Sequence, residues 1–217
     1  MYDALPVATV RTQVTVPLRF PDGYATTARL FSFHGLVDAR EHLAFGLGDW
    51  AGSLGRSVAG GPAPLVRPHS ECLTGDVFGS QRCDCGPQLR EAVERIADTG
   101  GFLLYLRQEG RGIGLYAKLD AYALQDAGLD TFEANVALGH REDERDYTAA
   151  AQMLATLGVD RITLLSNNPE KTEQLRRLGV TVTEVVPTGV FLSPANADYL
   201  AAKASRAARA SDLPVVS

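Results

Sequence analysis

Apolar and polar positions alternate loosely in "VRTQVTVPLRF", residues 10–20, a period of two that predicts a β-strand. A turn signal follows at "PDGY", and "ATTARLFSF" and "HLAFGLGD" keep the same strand-like composition, which predicts an antiparallel, β-rich start. Residues 51–64, "AGSLGRSVAGGPAP", are small, glycine-rich and punctuated by proline, the composition of an exposed loop. "LVRPHSE" then resumes an extended segment.

From Pro87 the period changes. Leu89, Val93 and Ile96 recur at helical spacing in "PQLREAVERIADTGG", which stops on glycine. "GFLLYLRQ" is short, apolar and strand-like, and it leads into "EGRGIGLYAKLDAYALQDAG", a glycine-rich turn that opens a second helix. "DRITLLSNNPEKTEQLRRLGVTVTEVVP" reads as strand, Asn-Pro helix start, helix, glycine stop and strand, a βαβ unit with parallel strands. The stretch "YLAAKASRAARA" near the C-terminus predicts a further helix. The class expected is mixed α/β (α+β): a β-rich N-terminal half followed by helices and a βαβ unit in a single compact domain.

Composition narrows the function. With 217 residues and 45% hydrophobic content the chain can bury a real core. The first residues lack a basic start and an apolar run, and no stretch approaches the ~18 apolar residues of a membrane span, so a cytoplasmic protein with no membrane partner is expected. The net charge of −5 offers no footprint for nucleic acid. A phosphate-bearing ligand must therefore be held by a few placed groups.

All three cysteines, Cys72, Cys83 and Cys85, lie within "HSECLTGDVFGSQRCDCGPQ", and an odd count argues against a disulfide framework. Cys83 and Cys85 in an extended segment would share a face, and Gly75 and Gly79 would let the loop return Cys72 to them. Three thiolates suit a catalytic zinc with an open fourth position, His69 could close it as a structural site, and three inert buried thiols are the plain alternative. "RQEGRGIG" is either an anion site or a solvated turn. "EDERDY" is either a functional cluster or a solvated face, and "SNNP" either a ligand site at a strand end or an ordinary helix cap.

Taken together and in order, "HSECLTGD", "RCDCGPQL", "RQEGRGIGL", "AYALQD", "LGHREDERDY" and "NNPEK" resemble GTP cyclohydrolase II, from about Val14 to Lys203. The resemblance implies one such domain over residues 1–205, with a flexible tail at 206–217. It implies one zinc ion per chain on Cys72, Cys83 and Cys85, with water as fourth ligand, and it moves His69 to the substrate side. Arg67, His69, Ser70 and Glu71 match the family's "R-x-H-S-E" segment at the GTP site, with Pro68 where valine is more usual. Gln88, Glu109, Gly110, Arg111, Thr131, Ser166 (usually threonine) and Lys171 match other substrate contacts. Asp143 matches the proposed proton acceptor, Arg145 the proposed nucleophile at phosphorus, and Tyr122 a tyrosine tied to completion of hydrolysis.

The activity implied is opening of the imidazole ring of GTP to a 2,5-diamino-6-(5-phosphoribosylamino)pyrimidinone, formate and pyrophosphate, with Mg2+ on the triphosphate. A homodimer, a role in riboflavin synthesis and a stand-alone enzyme without a fused second domain are implied as well. An arginine with its pKa above ~12 is a poor nucleophile, and transition-state stabilisation suits Arg145 equally well. Two other readings use the same residues: ring opening that stops at the formamidopyrimidine nucleotide, and a catalytically silent zinc-bound nucleotide sensor. Tyr122 speaks against the first, Asp143 and Arg145 against the second.

Overall fold

The computed structural model describes residues 5–51, 62–197 and 199–200. In chain order its elements are β1 (Thr9–Arg19), β2 (Ala25–His34), β3 (Leu43–Leu47), β4 (Leu65–Ser70), α1 (Leu73–Asp76), α2 (Cys85–Thr99), β5 (Gly101–Leu106), α3 (Leu115–Asp126), α4 (Thr131–Ala137), α5 (Thr148–Thr156), β6 (Arg161–Leu165), α6 (Pro169–Arg177) and β7 (Thr181–Val186). The mixed α/β class is the one the residue pattern predicts. Of the expected loop, residues 52–61 lie outside the described residues, as does the predicted C-terminal helix beyond Leu200.

The described chain divides into two compact units. One holds the residues up to His69, Leu89–Arg107 and Asp146–Thr188, and the other holds Ser70–Gln88, Gln108–Arg145 and the segment from Gly189.

In the first unit the "PDG" turn closes where Gly23 N donates to the Phe20 carbonyl at 3.0 Å and Tyr24 N to Asp22 Oδ1 at 3.0 Å. It joins β1 to β2 in an antiparallel pair with Val14 opposite Leu30, and β3 adds antiparallel to β2. At the far side β6 and β7 run parallel across α6, as expected for a βαβ unit. The sheet has seven strands in the order β1-β2-β3-β5-β4-β6-β7.

β5 occupies the middle of that order with β4 beside it, which explains the unbroken apolar run of β5, while β4 carries Arg67 and His69 after Leu65 and Val66. Along β5, Phe102, Leu104 and Leu106 join α5 in one core cluster with Val66, Ile162 and Leu164. Leu103 points the opposite way and packs with Leu65, Leu165 and the α2 residues Ala92, Val93 and Ile96. Each fully buried leucine of this kind contributes roughly 1.5–3 kcal/mol.

The second unit is built of short helices and turns: α1, the opening of α2, a 3-10 turn at Glu109–Gly112, α3 and α4. α4 begins with a capping box, Asp130 accepting from Phe132 N and Glu133 N while Glu133 returns to Asp130 N. Among the described residues no helix is long and apolar enough to cross a membrane.

Candidate active site

In the second unit the three cysteines converge from different local structures. Cys72 is the residue before α1, Cys83 sits in a bend, and Cys85 is the first residue of α2. The extended segment expected for Cys83 and Cys85 is therefore replaced by a turn into a helix. The sulfurs all lie within 4.8 Å of one another, with Cys72 Sγ and Cys83 Sγ 3.6 Å apart.

Gly75 makes this approach possible. A Cβ there would lie 2.8 Å from Cys83 Sγ and 3.1 Å from Cys72 Sγ, and one on Gly86 would lie 2.5 Å from the Gly75 carbonyl oxygen.

The donor set fits zinc. Bonds of ~2.3 Å in a tetrahedron place sulfurs about 3.8 Å apart, close to the spacing found. Among the described residues the group comprises the three cysteines.

Without a metal, hydrogen bonds from Cys83 and then Cys85 hold the Cys72 thiol far below its ordinary range, aided by the Lys118 charge. The same bond pushes Cys83 up to about 11, and Cys85 is raised well above its ordinary value by its bonds to Cys72 and Cys83. A metal binds thiolates, so any proton held among the three sulfurs must leave as it binds.

Around the sulfurs, Thr74 Oγ1 lies 3.8 Å from Cys72 Sγ and 3.4 Å from Tyr122 Oη. Tyr122 is held from the other side by Arg82, whose guanidinium lies 4.7 Å over its ring and pairs with Asp126. Burial raises the Tyr122 pKa, so the phenol remains a donor. Cys72 N donates to Asp76 Oδ2 at 3.0 Å and Leu73 N to Glu109 Oε2 at 2.6 Å.

Elsewhere in this unit "EDERDY" is not the solvated face its charge suggests. Asp143 and Arg145 are paired and 8% and 17% exposed, Arg145 Nε donating to Asp143 Oδ1 at 2.9 Å and Arg145 N to the same oxygen at 3.1 Å. Burial pushes the Asp143 pKa up, but the hydrogen bonds and charge of Arg145 outweigh it and hold the carboxyl below its ordinary value. Arg111, with φ +59°, places its guanidinium 4.1 Å over the Phe132 ring. Gly110 precedes it, also at positive φ, and Thr131 opens α4. Gln88 Nε2 donates to Asp84 Oδ2 at 2.7 Å and to the Gly189 carbonyl at 3.2 Å. Ser70 Oγ accepts from Gln108 Nε2 at 3.3 Å, and Glu71 is half-buried beside it in sequence.

The first unit brings together Arg67, His69, Ser166 and Lys171 around the ends of β4 and β6. Arg67 Nη1 donates to the Leu165 carbonyl at 3.1 Å, and Lys171 Nζ to the Pro68 carbonyl at 2.8 Å. His69 stacks on Tyr105 with ring centroids 5.7 Å apart. Ser166 Oγ accepts from Asn168 N at 3.1 Å, and Asn168 caps α6 with Pro169 at its first turn, so "SNNP" forms a helix cap. Pro68 has no N–H to give a ladder, and the β4–β6 pairing runs through Leu65 and Val66.

A family model described as GTP cyclohydrolase II matches residues 12–187. The chain belongs to the GTP cyclohydrolase II family. It is 48% identical to the GTP cyclohydrolase-2 of Psychromonas ingrahamii over 207 residues, which cover 94% of this chain and 98% of that relative. The GTP cyclohydrolase-2 of Vibrio cholerae is 52% identical over 180 residues, 82% of this chain and 86% of the relative. The GTP cyclohydrolase-2 of Hahella chejuensis is 50% identical over 181 residues, 82% of this chain and 84% of its own. Membership makes the chain an enzyme of a family that opens the ring of GTP in riboflavin synthesis.

Sequence reasoning passed over Lys118, Thr74, Arg82 and Tyr105. Lys118 had a signal, a lysine one helical turn before Tyr122 in "YAKLDAY". Arg82 and Tyr105 have none, because the aromatic rings they meet, Tyr122 and His69, are distant in the chain.

Proposed function

We propose that this enzyme carries GTP through ring opening, deformylation and pyrophosphate release to the diaminopyrimidine 5′-phosphate, using Zn2+ on Cys72, Cys83 and Cys85. The supporting observation is Thr74 Oγ1, within reach of both the Cys72 sulfur and the Tyr122 hydroxyl. It sets a phenolic donor beside a three-sulfur site.

Zinc held there supplies Lewis-acid activation of water near neutral pH. Tyr122, protonated and fixed by Thr74 and Arg82, orients and protonates a leaving nitrogen on the purine. Asp143 is the proton acceptor of the proposal. Its pairing with Arg145 leaves it ionised but weakly basic, so it becomes an effective base when Arg145 turns to the substrate's phosphates. Arg145 stabilises charge at phosphorus.

Arg67, His69, Ser166 and Lys171, and separately Ser70, Glu71, Gln88, Glu109, Gly110, Arg111 and Thr131, are assigned to GTP. Mg2+ is assigned to the triphosphate. No group of three carboxylates among the described residues offers it a protein site. A homodimer in the cytoplasm completes the proposal, and light scattering on the purified chain tests the dimer.

Incubating the zinc-replete protein with GTP and magnesium tests the reaction. Formate and pyrophosphate are expected in equal amounts with the diaminopyrimidine mass. A formamidopyrimidine product without formate would limit the enzyme to ring opening, and unchanged GTP would refute catalysis.

A further inference from the structure

Lys118 is buried, and its Nζ meets Glu109 Oε1 at 2.8 Å, Thr74 Oγ1 at 3.0 Å and Cys72 Sγ at 3.2 Å. An ammonium has three N–H donors, so these three acceptors use its whole capacity and fix its rotation. Glu109 anchors the arrangement. Its Oε1 also accepts from Gly110 N at 2.9 Å and its Oε2 from Leu73 N at 2.6 Å, the residue next to Cys72. Ammonium and carboxylate thus form a buried bridge linking α3, the 3-10 turn and the start of the cysteine loop.

A buried charge pair of this kind adds little net stability over well-packed apolar side chains, which directs attention to what the ammonium does to the sulfur.

We propose that Lys118 is a positioning residue of the metal site: held by Glu109 and Thr74, its ammonium donates to Cys72 Sγ and withdraws charge from that sulfur. The inference rests on reading the cysteine trio as the zinc site. Three thiolates donate strongly and would leave a metal a weak Lewis acid. A charge-assisted N–H···S bond weakens one of the three donors without removing it. Glu109, assigned above to GTP, also holds this bridge, its two oxygens accepting from Lys118, Gly110 and Leu73. Partners one layer outside a metal's ligands are worth roughly 10- to 100-fold in metal affinity or activity.

The test uses the full chain loaded with Co2+ in place of zinc, whose sulfur-to-metal charge-transfer band reports donation from the thiolates. In Lys118→Met the band is expected at lower energy than in wild type, with cobalt content unchanged, and Lys118→Arg should return it toward the wild-type position. The zinc-loaded Lys118→Met enzyme should lose roughly 10- to 100-fold in kcat with KM for GTP nearly unchanged. Because Lys118→Met leaves Glu109 buried alone, the charge-balanced double variant Lys118→Met/Glu109→Gln is measured beside it, and the same band shift is expected. A band at the wild-type energy in either variant overturns the proposal whatever the activity shows. A wild-type chain that takes up no cobalt removes the metal reading itself, a separate failure from an unshifted band.

Discussion

Gly75 carries no reactive atom, yet it decides whether the cysteines can meet. Its missing Cβ would stand 2.8 Å from Cys83 Sγ and 3.2 Å from Cys85 Cβ, so alanine must push the sulfurs apart or displace α1. Gly75→Ala is expected to fold and to lose its metal during dialysis against a weak chelator that leaves the wild type loaded. Gly79→Ala is the comparison: nothing lies within 4 Å of a Cβ there, and its φ of +66° costs only backbone strain of about 1 kcal/mol, so its metal should stay. Equal retention in the two variants would show that the approach at Gly75 is not what holds the trio. At this scale the residue types were legible and their settings only partly so. The cysteines announce a candidate metal site by clustering. Their convergence through a bend into α2 was hidden, because a spacing of two fits a strand as well as a helix start. The charge run at Asp143 and Arg145 looked solvated because nothing local records that the two side chains neutralise each other, which is what permits their burial.

Where an element's own sequence states its beginning and end, the reading was accurate. α6 starts at Asn168 and Pro169 and stops before Gly179, as "NNP…LG" announces, and the flanking strands pair in parallel. Capping helps to fix this start: the Asn168 side chain accepts from Glu170 N at 3.0 Å. Asn168→Ala should lower unfolding stability by about 1 kcal/mol in a urea titration, while Asn168→Asp should cost little. Metal content should not change in either, since α6 belongs to the unit without the cysteines. A loss of less than a few tenths of a kcal/mol in the alanine variant would mean that Pro169 and packing of Leu175 suffice. Strand order, by contrast, was not legible. β4 reads as an extended segment and β5 as a short apolar strand, but their place between the antiparallel and parallel parts of one sheet follows from long-range pairing, which no periodicity records.

For the whole molecule, the distribution of apolar burial predicts how metal and stability are linked. Both apolar core clusters are drawn from the sheet-bearing unit. Among its described residues the other unit buries many polar side chains, including Gln88, Gln108, Glu109, Lys118 and Asn135, beside Cys72, Cys83, Ala121, Phe132 and Ala134. A unit that hides little hydrocarbon must find its stability elsewhere, and the proposed ligation of a metal by Cys72 before α1, Cys83 in the bend and Cys85 at the start of α2 would supply it. A metal at a thousand times its dissociation constant contributes about 4 kcal/mol to whatever it binds only when folded. Removing it with a chelator should therefore speed hydrogen exchange in peptides spanning residues 70–88 and 108–126, while β5 and β6 stay protected by their own core. Mass spectrometry of exchanged, pepsin-digested protein reads both at once. Equal loss of protection in sheet and cysteine segments would mean that the chain unfolds as one cooperative whole on losing metal. No change in either would mean that the hydrogen-bonded bridge of Lys118 and Glu109 suffices to hold the cysteine loop, leaving the metal to chemistry alone.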